Sequence, residues 1–117
     1  MELTDIKVDS RGVIYKYKIG STKFLLVFTE KGALRAGETH NVMQHTFVAE
    51  GKVEVIVKEN NMNVSYIIDG GMAIQIPRGV PHLFRFLEES ITVESENEHM
   101  TTEYYPEYRK VVEKYLK

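Results

Sequence analysis

Residues able to hold a divalent metal or move a proton gather in one stretch of this chain. Glu38, His40 and Gln44 lie within seven residues, with His45 next to them, and His82 follows later. Glu38 and His40 are two apart, so an extended backbone places both side chains on one face. Gln44 keeps the same parity, although a turn between 40 and 44 would break the count. His45 has the opposite parity and is expected to point away. His82 comes after Pro77-Arg78-Gly79-Val80-Pro81, a rigid turn that can carry it beside the first cluster. Two imidazoles and one carboxylate are the ligand composition of an open facial site for a divalent transition metal, and Gln44 offers a further neutral oxygen. Without an ion, Glu38 and His40 would hydrogen-bond each other, or work directly as base and acid. His45 and His99 read as ordinary surface histidines.

These residues need rigid elements to position them, and the pattern around them reads as β. Strands are expected at 13–19, 23–29, 53–57, 64–68, 72–76 and 83–86, with a last one around Ile91 and Val93. They are separated by turn signals at Lys31-Gly32, Gly51, Asn60-Asn61, Asp69-Gly70-Gly71 and Pro77 to Pro81. Gly32 to Gly37 reads as a turn-like stretch. Val53, Val55 and Val57 share one strand face. The period changes at the end. Pro106 suits a first helical turn, and Tyr108, Val111, Val112, Tyr115 and Leu116 recur at helical spacing, so a short amphipathic helix is expected over 106–116. It is too short to stand alone and must be held by burial of its stripe.

The whole chain, 1–117, fits one domain. Fifteen basic and seventeen acidic residues give a net charge of −2, which argues against a nucleic-acid footprint or a polybasic membrane anchor. Cysteine is absent, so disulfides, thiolate nucleophiles and iron–sulfur clusters are excluded. No segment has the apolar length to span a bilayer, and the first residues lack the basic and apolar regions of a secretion signal. A cytoplasmic location is the default expectation.

Two spaced motifs resemble those of the cupin superfamily, small β-barrels of the jelly-roll type. The family's first motif, G-x5-H-x-H-x(3,4)-E-x6-G, is matched here by Gly32-x5-Glu38-x-His40-x3-Gln44-x6-Gly51. The second, G-x5-P-x-G-x2-H-x3-N, is matched by Gly71-x5-Pro77-x-Gly79-x2-His82-x3-Phe86. The glycines, the proline and the spacings agree, and the matched segment covers about half the chain. Glu38 stands where the family has a histidine, Gln44 where it has the glutamate, and Phe86 where it has the asparagine. The resemblance implies an all-β jelly-roll barrel, against which the C-terminal helix expected from its spacing would lie. It also implies a metal site at Glu38, His40, Gln44 and His82, for iron, manganese, nickel or zinc.

Several expectations follow from that resemblance. Val53, Val55 and Val57 would line the barrel interior, and Ile74, Ile76, Phe84 and Phe86 would make an apolar wall around a polar mouth. The first function it implies is a metal-dependent enzyme of dioxygenase or isomerase type acting on a small polar or anionic molecule. Arg35, Arg78 and Arg85 are candidates to meet an anion, although their strand parity does not group them. A metal-free sugar epimerase or isomerase using Glu38 and His40 is the second reading, and a non-catalytic ligand-binding module the third. A homodimer is expected, with Tyr15, Tyr17 and the apolar N-terminal strands in the contact.

Overall fold

A computed structural model describes residues 1–96 and 99–116. Among these residues eleven strands and one helix occur in the order β1 (Glu2–Asp9), β2 (Gly12–Ile19), β3 (Thr22–Thr29), β4 (Leu34–His40), β5 (Gln44–Glu50), β6 (Lys52–Glu59), β7 (Met62–Asp69), β8 (Ala73–Ile76), β9 (His82–Phe86), β10 (Ser90–Glu96), β11 (Thr102–Tyr104) and α1 (Pro106–Lys114). They build two antiparallel sheets. One is ordered β1-β2-β3-β10-β5-β8 and the other β11-β4-β9-β6-β7. The expected jelly roll is present as an open sandwich. The sheets do not join into the closed barrel the motifs suggested, and β1, β8, β11 and β7 remain edges.

The turns behave as their residues require. Asn60 and Asn61 both have positive φ, 49° and 63°, in the tight β6–β7 hairpin. The stretch from Leu34 to His40, read as partly turn, is a full strand. Its irregularity is a bulge: Ala36 pairs with Leu83 and Glu38 with His82, so β4 spends two residues on one step of β9. Ala36 and Gly37 both lie at positive φ, 74° and 78°. β1 and β11 carried no clear periodic signal and were not anticipated.

The core sits between the sheets at one end. Val48, Val53, Val55, Val57, Ile68, Ile76, Phe84 and Phe86 form one buried cluster, with Ile74 packed against it. Val53, Val55 and Val57 lie inside as expected, and Ile76, Phe84 and Phe86 join them in one core cluster. α1 covers the outside of β4 and β9, where Tyr108 and Val112 are buried with Leu34 and Leu83. The helix is shorter than its pattern suggested, and Val111 and Tyr115 are exposed. Only part of the expected stripe touches the sheet, because a nine-residue helix lying on two strands buries one narrow line of side chains.

Candidate metal centre

The β4 bulge decides what enters the sandwich. In an unbroken strand Arg35 and Glu38 would face opposite sides. The extra residue restores them to one side, and both line an interior cavity of about 250 Å³ together with Gln44 and Glu94. Gly37 is required at the bulge, because a Cβ there would stand 2.9 Å from the backbone of Arg109. Arg109 in turn donates from Nη1 to the Ala36 carbonyl at 3.1 Å and packs its guanidinium over Tyr104.

Glu38, His40 and His82 each offer one ligand atom, and the three atoms lie within 4.8 Å of one another. His40 and His82 are buried, with ring centroids 5.1 Å apart. His82 Nδ1 stands 3.0 Å from the Val80 carbonyl. A carbonyl can only accept, so Nδ1 carries the proton and Nε2 presents its lone pair. That Nε2 is buried with no partner. Burial lowers the pKa of His82, outweighing the Val80 carbonyl and the charge of Glu38, which favour the cation, and His40 adds to the lowering, so the neutral ring is favoured. Among the described residues nothing partners this neutral imidazole nitrogen, which belongs to a residue grouped with a carboxylate and a second imidazole. A metal ion would satisfy it.

His40 behaves differently. Its Nε2 is 2.8 Å from Glu38 Oε2, and its Nδ1 is 3.1 Å from Thr102 Oγ1 on β11. Burial works to lower its pKa, but the hydrogen bond and charge of Glu38 outweigh it, helped by the Thr101 backbone and the Gln44 amide, and the net shift is upward.

Gln44 is buried on the opposite sheet. Its Nε2 donates to Thr46 Oγ1 at 2.9 Å and to Glu94 Oε1 at 3.3 Å, and its Oε1 has no partner. Gln44 thus supplies a second orphaned acceptor. His45 points outward from the same strand, as its parity demanded. Arg85 and Arg78 are also outside. Arg85 forms a close ion pair with Glu54, and Arg78 is exposed in the turn. Arg35 alone of the three enters the interior. Its Nε donates to Thr29 Oγ1 at 2.9 Å, while its Nη2 is buried and unpartnered. Burial and nearby Arg11 pull its pKa down to about 10, so it remains a cation at neutral pH.

Glu94 was missed from the sequence. Burial, reinforced by repulsion from Glu38, raises its carboxyl to about 7, against the opposing pull of His40 and Arg35. The signal was present in the β10 alternation. Ile91 and Val93 take one face and leave Thr92 and Glu94 on the other. An acid there reads as solvent-facing until β10 is known to lie inside its sheet.

No family model matches the chain, and no curated protein matches it in sequence. Solved structures do match. A mutant of Bacillus subtilis oxalate decarboxylase superimposes with a TM-score of 0.73 at 17% identity, over 86% of this chain and 30% of that one. The same enzyme at pH 4.6 gives 0.69 at 16%, over 80% and 27%. The capsular polysaccharide assembling protein CapF from Staphylococcus aureus gives 0.65 at 19%, over 87% and 29%. The chain therefore spans about 30% of the length of these neighbours. One further structure of the decarboxylase is described by its Mn(II) centres. Two packed antiparallel sheets, the two spaced motifs and these superpositions together show that this chain has the cupin fold.

Proposed function

We propose that this protein is a metal-dependent cupin enzyme acting on a small anionic molecule. Glu38, His40 and His82 would hold one divalent transition metal, with Gln44 Oε1 as a weaker neutral ligand. The observation that carries the reading is the buried, partnerless Nε2 of His82, left free by the Val80 bond to Nδ1, on a residue whose ligand atom lies within 4.8 Å of those of Glu38 and His40. The donor set of nitrogen and oxygen suits manganese, iron, nickel or zinc. The Mn(II) centres named for the oxalate decarboxylase neighbour agree with this but do not choose the metal.

Bound there, the metal would supply Lewis acidity at a substrate oxygen. The chain's own residues do the rest. Arg35 presents a fixed positive charge in the cavity to pair with an anion. Phe84 and Phe86 give the same space an apolar wall. Glu94, with its carboxyl raised to about 7, exchanges a proton close to neutral pH at the cavity wall. The cavity's volume suits a molecule of only a few heavy atoms.

One observation favours a metal-free variant of the enzyme. His40 Nε2 and Glu38 Oε2 already satisfy each other at 2.8 Å, an arrangement able to pass a proton without an ion. Elemental analysis of tag-free protein after reconstitution with manganese, iron, nickel, cobalt and zinc separates the two. About one equivalent of a single metal, lost in His82→Ala, supports the metal enzyme. No metal above background moves the assignment to acid–base work by Glu38 and His40.

A further inference from the structure

The cavity wall changes character along the six-stranded sheet. On β2 and β3 it is apolar: Ile14 lies opposite Val27, and Leu25 lines the same space. One strand further on it turns polar. Val27 is opposite Thr92 on β10, and Leu25 is opposite Glu94. From the other sheet, Phe84 and Phe86 add to the apolar lining.

Arg11, Arg35 and Arg109 line this cavity as well, and two of them are already engaged. Arg11 pairs with Asp9 at 2.6 Å. Arg109 bonds Glu113 and the Ala36 carbonyl and lies over the Tyr104 ring. Arg35 differs. The residue is only 8% exposed, its Nε is committed to Thr29 Oγ1, and its buried Nη2 has no partner among the described residues. Asp9 and Glu94 act on it only at a distance. A buried cation without a counter-ion is strongly unfavourable, and an anion seated on Nη2 would relieve it.

We propose that the cavity takes a short-chain monocarboxylic acid with an apolar body, its carboxylate on Arg35 and its carbon skeleton against Ile14, Leu25, Val27, Phe84 and Phe86. The inference rests on the metal-enzyme reading for calling this molecule a substrate, whereas the seat is made by the chain alone. One free guanidinium end gives one anchor, and its planar geometry matches a carboxylate. Further negative charge is disfavoured. Glu38 and Glu94 line the same space and would repel a phosphate dianion or the second carboxylate of a diacid. A sugar would set its hydroxyls against five apolar side chains that cannot replace their bonds to water. The volume, about 250 Å³, keeps the chain short. An apolar cavity of about 150 Å³ is already enough for one benzene molecule.

Isothermal titration of tag-free, metal-free protein with isovalerate tests the seat. Saturable, equimolar binding is expected. Isovaleramide, which keeps the shape without the charge, should bind at least about tenfold more weakly. Arg35→Gln should lose a similar factor for isovalerate. Arg85→Gln should lose none, because that guanidinium lies outside with Glu54. Oxalate, inorganic phosphate and xylose should each bind at least about tenfold more weakly than isovalerate. Absence of isovalerate binding overturns the proposal. So does isovaleramide, oxalate, phosphate or xylose bound as tightly as isovalerate, or a folded Arg35→Gln protein with unchanged affinity. If Arg35→Gln does not fold, the comparison of acid and amide on wild type decides. Manganese titration of the same protein is read separately. Isovalerate bound by a protein that takes no manganese leaves the seat standing and removes the metal reading, and manganese bound by a protein that takes no isovalerate does the reverse.

Discussion

Glu38 faces His82 across the β4–β9 pair only because Gly37 drops out of register one residue earlier. The bulge is held by two left-handed residues and by the backbone of α1 pressed against Gly37. Gly37→Ala should therefore cost about 1–3 kcal/mol, from a strained φ and a Cβ with no room. Ala36→Gly should do the reverse. Ala36 already sits at φ 74° without a glycine's freedom, and relief of that strain should add up to about 1 kcal/mol. Thermal melts of both variants beside wild type check the pair. A Gly37→Ala protein as stable as wild type would show that the bulge can relax elsewhere.

That bulge also marks where the sequence stopped being legible. Alternation sufficed for the Val53-Val55-Val57 face, for the outward turn of His45, and for the pairing of Glu38 with His40, because each lies within an unbroken strand. Counting across Ala36-Gly37 failed. Arg35 carries the opposite parity number to Glu38, and only the extra residue puts both in the cavity. Glu94 was illegible for another reason. Its environment is made by β4 and β5, far away in the chain, and no local pattern carries that information.

The donor set predicts a graded mutational series. His82→Ala and His40→Ala should each lower metal affinity at least about tenfold, the usual cost of disturbing even the hydrogen-bonded supports of a metal site. His45→Ala should leave it unchanged, since that ring faces away. Thr102→Val removes the hydroxyl 3.1 Å from His40 Nδ1 and should weaken binding less than loss of the ring itself. Isothermal titration with manganese and zinc on tag-free protein reads all four. A strong effect of His45→Ala alone, with the fold intact, would mean that the inner and outer faces of β5 have been exchanged.

Gln44→Glu restores the carboxylate of the cupin motif, and two effects then compete. A second carboxylate should tighten metal binding, by about tenfold or more over the neutral amide. It also faces Glu94, whose Oε1 is now 3.3 Å from the Gln44 amide nitrogen, and replaces a hydrogen bond by repulsion. The metal-free variant should melt lower than wild type, and metal should raise its melting temperature by more than it raises that of wild type. Melts with and without metal distinguish this from a simple loss of stability, in which the metal-induced gain would not grow.

Glu94 sets a pH dependence of stability. Its folded-state pKa, about 7, lies above the ordinary 4.5, so the folded protein binds more protons in that interval than the unfolded chain does. The stability associated with protonated Glu94 is complete below about pH 4.5 and is lost as pH rises through about 7. Above that the half-buried carboxylate is charged beside Glu38, and wild type carries the penalty. Glu94→Gln keeps an acceptor for the Gln44 amide and cannot ionise. It should match wild type near pH 4.5 and exceed it by on the order of 1–3 kcal/mol at pH 8. Urea unfolding of both proteins at a series of pH values gives the difference directly. A constant gap across that range would show that Glu94 does not change its protonation on folding, and that the field of Glu38 is screened from it.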